Sequence, residues 1–557
     1  MTTAAPPNVP GKLPVFAARP SGSRWSDGLW SFTGPLLYSC TKRGSPETDT
    51  FAAERMATLK TAHRPSLTQG LACAAVLAAA LAVLLISLGE TPPTTQKELR
   101  VWKATSGMYA SGDYLVPRVD GSPHLTKPPL YYWAAVLCAK AFSRMDLFTL
   151  RLPSVIAAVG TLLVVSLWAY RLGGAQASVL APALLLSMGR FPDWARHGTF
   201  EMMLVFFSVS TLYAFHLAYE RRSLPIFALC CGCLTLGFLT KGTAVLLTAV
   251  LPAALYVLTC RELRVLRRPA AWGLIAASAV GSLAWFGVLA WRVPEAREIF
   301  RTQILLPFGV ETEMATATHY EPFYYYAPAI VMMAFPVSAF LPIVLYRAWR
   351  TRVWRDEGGY RLLFITFAAI LVAFSLIKGK QGHYVFTCLA PMALLTAESL
   401  LGGLSADDGL TRRWVGASAV AWGVGLMLLP APVVFFAWIV FGWHPGEAGG
   451  LAAALAVAGI FTMLAGLRGR WKSAFGWGFA GTVALYLFVF GSFAVWDAQF
   501  YTSAVTSRPD YDAAKWAANF EKYPSLKKIF RSQEGHEFRM PPAEAANRTP
   551  GEGQQDP

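Results

Sequence analysis

The segment from Thr94 to Tyr132 holds the side chains of this chain that are best suited to chemistry. Its candidates for chemistry include the carboxylates Glu98 and Asp113 and the cations Arg100 and Lys127. A carboxylate can take a proton from a reacting hydroxyl, and cations stabilise the charge that develops on a phosphate. Connections between helices are ordinarily short, so a polar insert of this length favours a functional role.

Each of these residues also has a structural interpretation. Glu98 follows Thr95 by three residues, which is the spacing of a capping box at the start of a helix. Asp113 follows a glycine and is of a type that often forms turns. Arg100 could be ordinary surface charge, and Lys127 could reach a membrane surface by snorkelling. Both interpretations stay open at this point.

Further polar residues recur at the ends of later hydrophobic stretches. The candidates are Arg196, Glu201, Lys241, His319, Lys378, Lys380, His383 and Tyr384. Cations at such positions attract a membrane-bound anion, most simply a lipid phosphate. His319 could bind a metal or position a hydroxyl, and a purely structural role is the alternative.

Composition indicates that these residues stand on a membrane scaffold. The chain of 557 residues is 55% hydrophobic and 15% charged, and its mean hydropathy is +0.41. Apolar stretches of roughly 17–25 residues recur over almost the whole length, which predicts an all-α polytopic membrane protein. The net charge of +16 does not indicate nucleic-acid binding, because the basic residues separate hydrophobic segments instead of forming one stripe. No pair of CxxC motifs predicts a zinc site or a disulfide framework.

The spacing of the apolar stretches predicts about thirteen transmembrane helices. They lie near 67–88, 152–170, 174–190, 201–219, 223–239, 243–259, 271–291, 323–346, 361–377, 383–401, 414–441, 450–467 and 474–495. A cytoplasmic N-terminus places the Arg-rich loops inside, as the positive-inside rule expects. The loop 89–151 and the candidate residues then lie outside, with an extracytoplasmic C-terminus.

One apolar segment, from Pro128 to Phe142, is too short for a span of ordinary length. We predict that it forms a helix in the outer interface, anchored by Tyr131, Tyr132 and Trp133. If it crossed the membrane, every later Arg-rich loop would change sides.

A series of motifs in fixed order resembles a known family. The motifs are Glu98-Leu-Arg100, Met108-Tyr-Ala-Ser-Gly-Asp113-Tyr-Leu-Val-Pro-Arg118, Lys127-Pro-Pro-Leu-Tyr-Tyr-Trp133, Arg151-Leu-Pro-Ser154, Ala195-Arg196 with Glu201, Gly237-Phe-Leu-Thr-Lys241-Gly242, and Lys378-Gly-Lys380 with His383-Tyr384. Together they resemble the lipid-linked sugar transferases of the GT-C fold, near the aminoarabinose lipid A transferases and the protein mannosyltransferases. The resemblance extends from about Leu67 to Leu400.

The chain departs from the family pattern at three positions. The family opens its outer loop with Asp-Glu-x-Arg, where this chain has Lys97-Glu98-Leu-Arg100. It often carries an acid directly before Lys-Pro, where this chain has Thr126, and its usual Asp at the fourth span is Glu201 here. Without the acid before Lys-Pro we assign no metal and no cofactor; a divalent metal involving His319 is the alternative.

The resemblance implies a glycosyltransferase that moves a sugar from a polyprenyl (undecaprenyl) phosphate carrier to a lipid or protein acceptor, on the outer face of a bacterial inner membrane. The implied phosphate ligands are Arg100, Lys127, Lys241, Lys378 and Lys380. The implied catalytic carboxylate is Glu98, with Glu201 or Asp113 as substitutes. The implied sugar or acceptor contacts are Arg196, His319, His383 and Tyr384. The alternatives are a transporter or flippase of an anionic lipid-linked substrate and a catalytically impaired homologue.

The expected organisation of the chain has four parts. Residues 1–66 form a disordered cytoplasmic extension, with Met56 as an alternative start of translation. Residues 67–401 form the catalytic membrane domain, including the outer loop. Residues 402–495 supply C-terminal transmembrane helices, and 496–557 form a short extracytoplasmic tail.

Overall fold

A computed structural model of the protein describes residues 66–90, 93, 95–260, 264–297, 300, 321–355, 358–377, 379–405, 408–428 and 445–506. All of them belong to one compact unit, His63–Pro557. The predicted N-terminal extension before Ser66, the alternative start at Met56 and the chain after Thr506 lie outside the described residues. The same is true of two candidate site residues, His319 and Lys378.

The described chain is almost entirely helical, which confirms the predicted all-α class. The first helices are α1 Leu67–Leu85, α2 Gln96–Ser111, α3 Leu130–Ala141, α4 Leu147–Ser187, α5 Arg190–Ala195, α6 Phe200–Arg221 and α7 Leu224–Lys241. A π-helical turn, Leu246–Val250, leads into α8 Leu251–Cys260, and a 3₁₀ turn, Arg264–Arg267, precedes α9 Pro269–Arg292. The later helices are α10 Tyr326–Met333, α11 Leu341–Arg350, α12 Gly359–Leu376, α13 Leu389–Ser405, α14 Gly409–Leu428, α15 Pro445–Leu467 and α16 Trp471–Thr506. The 3₁₀ turns Phe323–Tyr325, Val337–Phe340 and Gly382–Cys388 precede α10, α11 and α13, and Val353–Arg355 follows α11.

Many of these helices have the length and composition needed to cross a membrane. Within the described residues nine qualify, or ten if α10 and α11, bent by 110°, count as one span. The spans predicted at 152–170 and 174–190 correspond to the two arms of α4, which is broken at Gly174 (φ 74°, ψ −164°). The two arms fold back on each other, since the Ser166 hydroxyl donates to the carbonyl of Ser178 (2.8 Å). The span predicted at 243–259 is the shorter apolar helix from Leu246 to Cys260. Thirteen crossing helices therefore stays a prediction.

The outer loop begins with a helix that has the predicted start. The hydroxyl of Thr95 accepts a hydrogen bond from the backbone N–H of Glu98 (3.1 Å), which caps α2. The helix ends at Gly112, whose φ of 73° lies in the left-handed region that favours glycine. Asp113 then accepts hydrogen bonds from the backbone N–H groups of Leu115 (3.0 Å) and Val116 (3.3 Å). Its turn-forming interpretation is confirmed.

A two-stranded hairpin follows this turn. Strand β1 (Arg118–Val119) pairs antiparallel with β2 (Ser122–Pro123), and the connection is Asp120-Gly121. Both connecting residues have positive φ, 51° and 81°, as the tightest hairpin turns require. The chain is thereby returned toward Lys127 and the start of α3.

The predicted short helix after Lys127 is present as α3, but its tyrosines do not form a membrane-surface anchor. Tyr131 and Tyr132 are fully buried, and each packs edge-on against Phe200 with ring centroids 5.4 Å apart. The Tyr131 hydroxyl donates to the carbonyl of Leu150 in α4 (2.9 Å). The expectation failed because α3 packs against α4, which turns this aromatic face toward the protein interior.

Candidate active site

Charged and polar side chains from five parts of the chain meet beside the outer loop. This group, called the basic cluster below, comprises Lys97 and Arg100 on α2, Lys127 before α3, Glu201 in the first turn of α6, Lys241 at the end of α7, and Gln381 and His383 near the 3₁₀ turn before α13. The helix packing explains the convergence, because α6 packs against both α7 and this 3₁₀ turn. Widely separated motifs therefore form one site.

Glu201 is the only carboxylate among the seven side chains of the basic cluster. Its Oε1 atom lies 3.1 Å from Lys241 Nζ and 3.4 Å from His383 Nε2. The side chain is 4% exposed, so this pairing is shielded from water. Its Oε2 atom has no hydrogen-bond partner among the described residues. Glu201 thus has one oxygen held by the protein and one that can take a hydrogen bond from a ligand.

Lys97, which stands where the resembled family has an acid, is part of this network. Its Nζ atom donates to Gln381 Oε1 (2.7 Å) and lies 3.2 Å from His383 Nε2. The imidazole of His383 is stacked on Trp194, with ring centroids 5.3 Å apart. Tyr384 contacts His383 edge-on, and its ring centroid lies 5.9 Å from Lys241 Nζ.

The cations of the cluster lie close enough for each to lower the pKa of its neighbours. Burial, followed by the charges of Lys241, Lys97 and Arg100, lowers the pKa of Lys127 to about 8, and Glu201 offsets only part of this. Burial and the same type of neighbouring charge also lower the pKa of Lys97 to about 8. Two lysines of lowered pKa beside one carboxylate make this a site of excess positive charge, which favours binding of an anion.

Glu98, which the sequence predicted to work together with these cations, is bound by Arg151 and Gly198 instead. Its side chain is 0% exposed and accepts two hydrogen bonds from Arg151, of 2.7 and 3.1 Å. The backbone N–H of Gly198 donates to the same Oε1 atom (2.7 Å). Burial raises the pKa of Glu98, but pairing with Arg151 outweighs this and holds the pKa below its ordinary value. The structure therefore shows Glu98 as a buried anion that is paired with Arg151, and its role as acceptor base stays a prediction.

Other candidates also have structural partners. Arg196 donates to the carbonyls of Val83 and Leu84 at the end of α1, both at 3.0 Å, and its guanidinium covers the ring of Phe490. Lys380 is 5% exposed and donates to the carbonyl of Glu321 (2.9 Å).

The sequence predicted most residues of the basic cluster. It did not single out two of its members, Lys97 and Gln381, or the neighbouring Trp194. Gln381 lies between two predicted residues, and its only signal was that position. Trp194 lies in α5 and was not distinguished from other aromatic residues. Lys97 was noted only as a departure from a family pattern.

No group of three histidine, cysteine, aspartate or glutamate side chains suited to a metal ion occurs in the described part of the chain. His319, the residue considered for a metal, lies outside that part. The roles predicted for His319 and Lys378 therefore rest on the motifs alone.

The sequence is similar to known proteins over part of its length. Residues 126–291 match the family described as dolichyl-phosphate-mannose-protein mannosyltransferase. The chain is 30% identical over 345 residues to the undecaprenyl phosphate-alpha-4-amino-4-deoxy-L-arabinose arabinosyl transferase of Pseudomonas paraeruginosa, covering 60% of each chain. It is 29% identical over 368 residues to the enzyme of that name from Pseudomonas savastanoi, covering 64% of this chain and 66% of the relative. The chain thus spans between 60% and 66% of the length of these relatives.

The fold has a solved counterpart. The crystal structure of ArnT from Cupriavidus metallidurans bound to undecaprenyl phosphate superimposes with a TM-score of 0.61 at 20% identity, covering 80% of this chain and 82% of that one. These findings define the protein as a multi-pass membrane protein of the GT-C fold. Its sequence is similar to those of the aminoarabinose transferases and, over residues 126–291, to the protein mannosyltransferase family.

The buried pair of Glu98 and Arg151 generates a prediction about stability. Glu98→Ala leaves the Arg151 charge buried without its partner, which costs about 3–5 kcal/mol. The double variant Glu98→Leu/Arg151→Met should recover most of this loss, because a well-packed apolar pair replaces the ions. The free energy of unfolding is measured by SDS titration in mixed micelles.

The matched control is Lys103→Ala. Lys103 lies on the same helix α2 as Glu98, and the change breaks its ion pair with Asp120 of the hairpin. Both side chains are partly exposed (29% and 71%), so this change should cost less than about 1 kcal/mol. Equal losses for Glu98→Ala and Lys103→Ala would contradict the structural role of Glu98.

Proposed function

We propose that the protein is a glycosyltransferase that moves a sugar from a polyprenyl phosphate carrier to a lipid or protein acceptor. The observation that carries the proposal is the basic cluster, in which cations from separate helices surround a single buried carboxylate. Preorganised cations stabilise the charge that a phosphate leaving group gains in the transition state. The names of the sequence relatives, and the undecaprenyl phosphate bound by ArnT, support the same chemistry.

In the proposed reaction the acceptor oxygen attacks the anomeric carbon, and the bond from that carbon to the phosphate oxygen breaks. The bonding electron pair leaves with the polyprenyl phosphate, whose increased charge is stabilised by Arg100, Lys127 and Lys241. The acceptor hydroxyl loses its proton to Glu201, through the oxygen that has no partner within the described residues. Lys241 links the departure of the phosphate to the proton transfer. As the ammonium of Lys241 moves toward the phosphate, its ion pair with Glu201 weakens, which makes the Glu201 carboxylate a better base.

This assignment moves the base from Glu98, the first choice from the sequence, to Glu201. His383 and Tyr384 stay proposed as contacts of the sugar or the acceptor, since both lie beside Glu201 or Lys241. Arg196 and Lys380 contribute by fixing the backbone around the site. We also propose that residues 67–401 form the catalytic membrane part and 402–495 the accessory helices.

The reaction is tested with purified protein, a radiolabelled polyprenyl-phosphate sugar, and lipid and peptide acceptors. We expect Glu201→Gln to lower turnover by about 10²–10⁴-fold, the usual value of a general base. Lys127→Gln should lower it by about 10²–10³-fold, the usual effect of removing one stabilising donor. Lys103→Gln, on the outer face of α2 and paired with Asp120, is the control and should keep full activity.

The outcome separates the alternatives. Label on an acceptor supports transfer, whereas label that only changes leaflet supports a transporter or flippase. Well-folded protein that does neither supports a catalytically impaired homologue. Near-normal turnover by Glu201→Gln would remove Glu201 from the mechanism.

The lowered lysine pKa values make donor binding dependent on pH. Lys97 and Lys127, each with a pKa of about 8, are cationic at pH 7 and lose their charge as the pH rises through that value. Affinity for a polyprenyl phosphodiester sugar, whose own charge is constant, should fall by about tenfold or more between pH 7 and pH 9.5.

Titration calorimetry or thermophoresis at several pH values measures this fall. Lys127→Arg keeps a cation at high pH and should therefore flatten the profile. A wild-type affinity that stays constant over the whole range would contradict the role given to the two lysines.

We propose that the protein lies in a bacterial inner membrane with its N-terminus in the cytoplasm and the basic cluster on the outer side. The charge distribution supports this orientation, because Arg-rich loops favour the cytoplasm. A membrane-impermeant maleimide should label Arg118→Cys, but not Arg412→Cys, in cells with intact inner membranes. Unsubstituted protein serves as the blank, and the reverse labelling pattern would exclude this orientation.

A further inference from the structure

One further polar residue of the outer loop, His124, lies near the proposed phosphate ligands. The hairpin of β1 and β2 fixes its backbone, because the N–H of His124 donates to the carbonyl of Pro117 (2.7 Å) and continues the pairing of the two strands by one residue. Lys127 follows three residues later in the chain. The hairpin therefore holds His124 close to a cation of the basic cluster.

His124 forms a pair with Thr126. Leu125, which lies between them, is 1% exposed and packs in an apolar cluster with Trp285. Since neighbouring side chains of an extended chain point to opposite sides, burial of Leu125 leaves His124 and Thr126 on the same side. Thr126 Oγ1 lies 2.9 Å from His124 Nε2, and Thr126 is exposed while His124 is half-buried. A ligand outside the apolar core can therefore reach this pair.

The imidazole of His124 is a neutral group among cations. Burial, followed by the charges of Arg100 and Lys127, lowers the pKa of His124 below its ordinary value, so that the ring is uncharged at pH 7. A neutral imidazole has one N–H donor and one acceptor nitrogen, and its partners decide which nitrogen carries the proton. The Nδ1 atom of His124 has no hydrogen-bond partner within the described residues.

We propose that His124 is a further catalytic residue, whose Nδ1–H group donates a hydrogen bond to the phosphate of the polyprenyl carrier, and that Thr126 is a positioning residue that selects this tautomer. The inference rests on the proposed function and adds a neutral donor to its phosphate site. A hydroxyl can donate or accept a hydrogen bond. When the Thr126 hydroxyl donates to Nε2, the proton of the imidazole lies on Nδ1 and is available to a ligand.

This hydrogen bond becomes stronger as the reaction proceeds. When the bond from the anomeric carbon to the phosphate oxygen breaks, the electron pair stays on the phosphate, whose charge rises from one negative unit to two. Hydrogen bonds to ionised acceptors strengthen with that charge, so His124 stabilises the transition state more than the bound donor. The proton stays on Nδ1 throughout, and the acceptor proton still passes to Glu201. A neutral donor gives the phosphate a fixed direction without adding repulsion between the cations.

The first test uses undecaprenyl phosphate as the probe, because the binding of this lipid does not depend on the sugar. The full-length protein in lipid nanodiscs at pH 7 should bind it, and His124→Phe should weaken the binding by about tenfold or more, since a hydrogen bond to a charged group is lost. His124→Asn places an amide N–H where Nδ1 was and should lose less than about threefold. His124→Gln, whose amide reaches the place of Nε2 instead, should resemble His124→Phe.

The second test asks whether Thr126 acts through the imidazole. Thr126→Val removes the hydroxyl and keeps the shape, so it should weaken the binding of undecaprenyl phosphate by about threefold or more, and Thr126→Ser should restore it. In the His124→Phe background, Thr126→Val should cause no further loss, because two residues that act as one unit are not additive. Lys103→Gln, on α2 and paired with Asp120 of the same hairpin, is the control and should resemble wild type.

Equal affinity of wild-type protein and His124→Phe for undecaprenyl phosphate would overturn the inference and leave the proposed function intact. Equal losses in His124→Asn and His124→Phe would also overturn it, since they would indicate a role in shape or folding. Additive losses from Thr126→Val and His124→Phe would remove the role given to Thr126. Failure of wild-type protein to bind undecaprenyl phosphate at all would overturn the proposed function, and the inference with it.

Discussion

The ion pair between Glu98 and Arg151 is the interaction on which the rest of the site depends. It joins the first turn of α2, in the outer loop, to the second turn of α4, and both side chains are almost fully buried. Arg151 also donates to the carbonyl of Leu88 (2.7 Å), so the same guanidinium holds the chain that leaves α1. Because Lys97 and Arg100 lie on either side of Glu98, fixing this one carboxylate fixes the cations of α2.

Much of the scaffold was predictable because a membrane-spanning helix requires a long apolar stretch and basic residues on its cytoplasmic side. The long apolar stretches, the Arg-rich loops and the Thr95 cap follow from local composition and spacing. The course of α3 did not follow, because Tyr131 and Tyr132 have the same sequence signal whether they face a lipid surface or Phe200. The boundary between the spans predicted at 152–170 and 174–190 does coincide with the break of α4 at Gly174.

The site was predicted in outline, but the surroundings of one central residue, Glu98, were not. Lysines at the ends of separate spans were expected to meet, and Lys127 and Lys241 do lie in one cluster. The environment of Glu98 could not be predicted, since its partners Arg151 and Gly198 are 53 and 100 residues away in the sequence. The motif containing Arg151 was recognised, but neither it nor Gly198 carried a local signal that it would contact this carboxylate.

Gly198 gives the chain a constraint on length. A Cβ atom there would lie 2.8 Å from the side chain of Leu150, and the backbone N–H is already bound to Glu98, so this position has little freedom to move. Glu201 follows three residues later, across the start of α6 at Phe200. One inserted residue in that interval would rotate the carboxylate by roughly 100° about the helix axis, since an α-helix has about 3.6 residues per turn. The three-residue step from Gly198 to Glu201 therefore has a fixed length, because one end is held by Glu98 and the other by the first turn of α6.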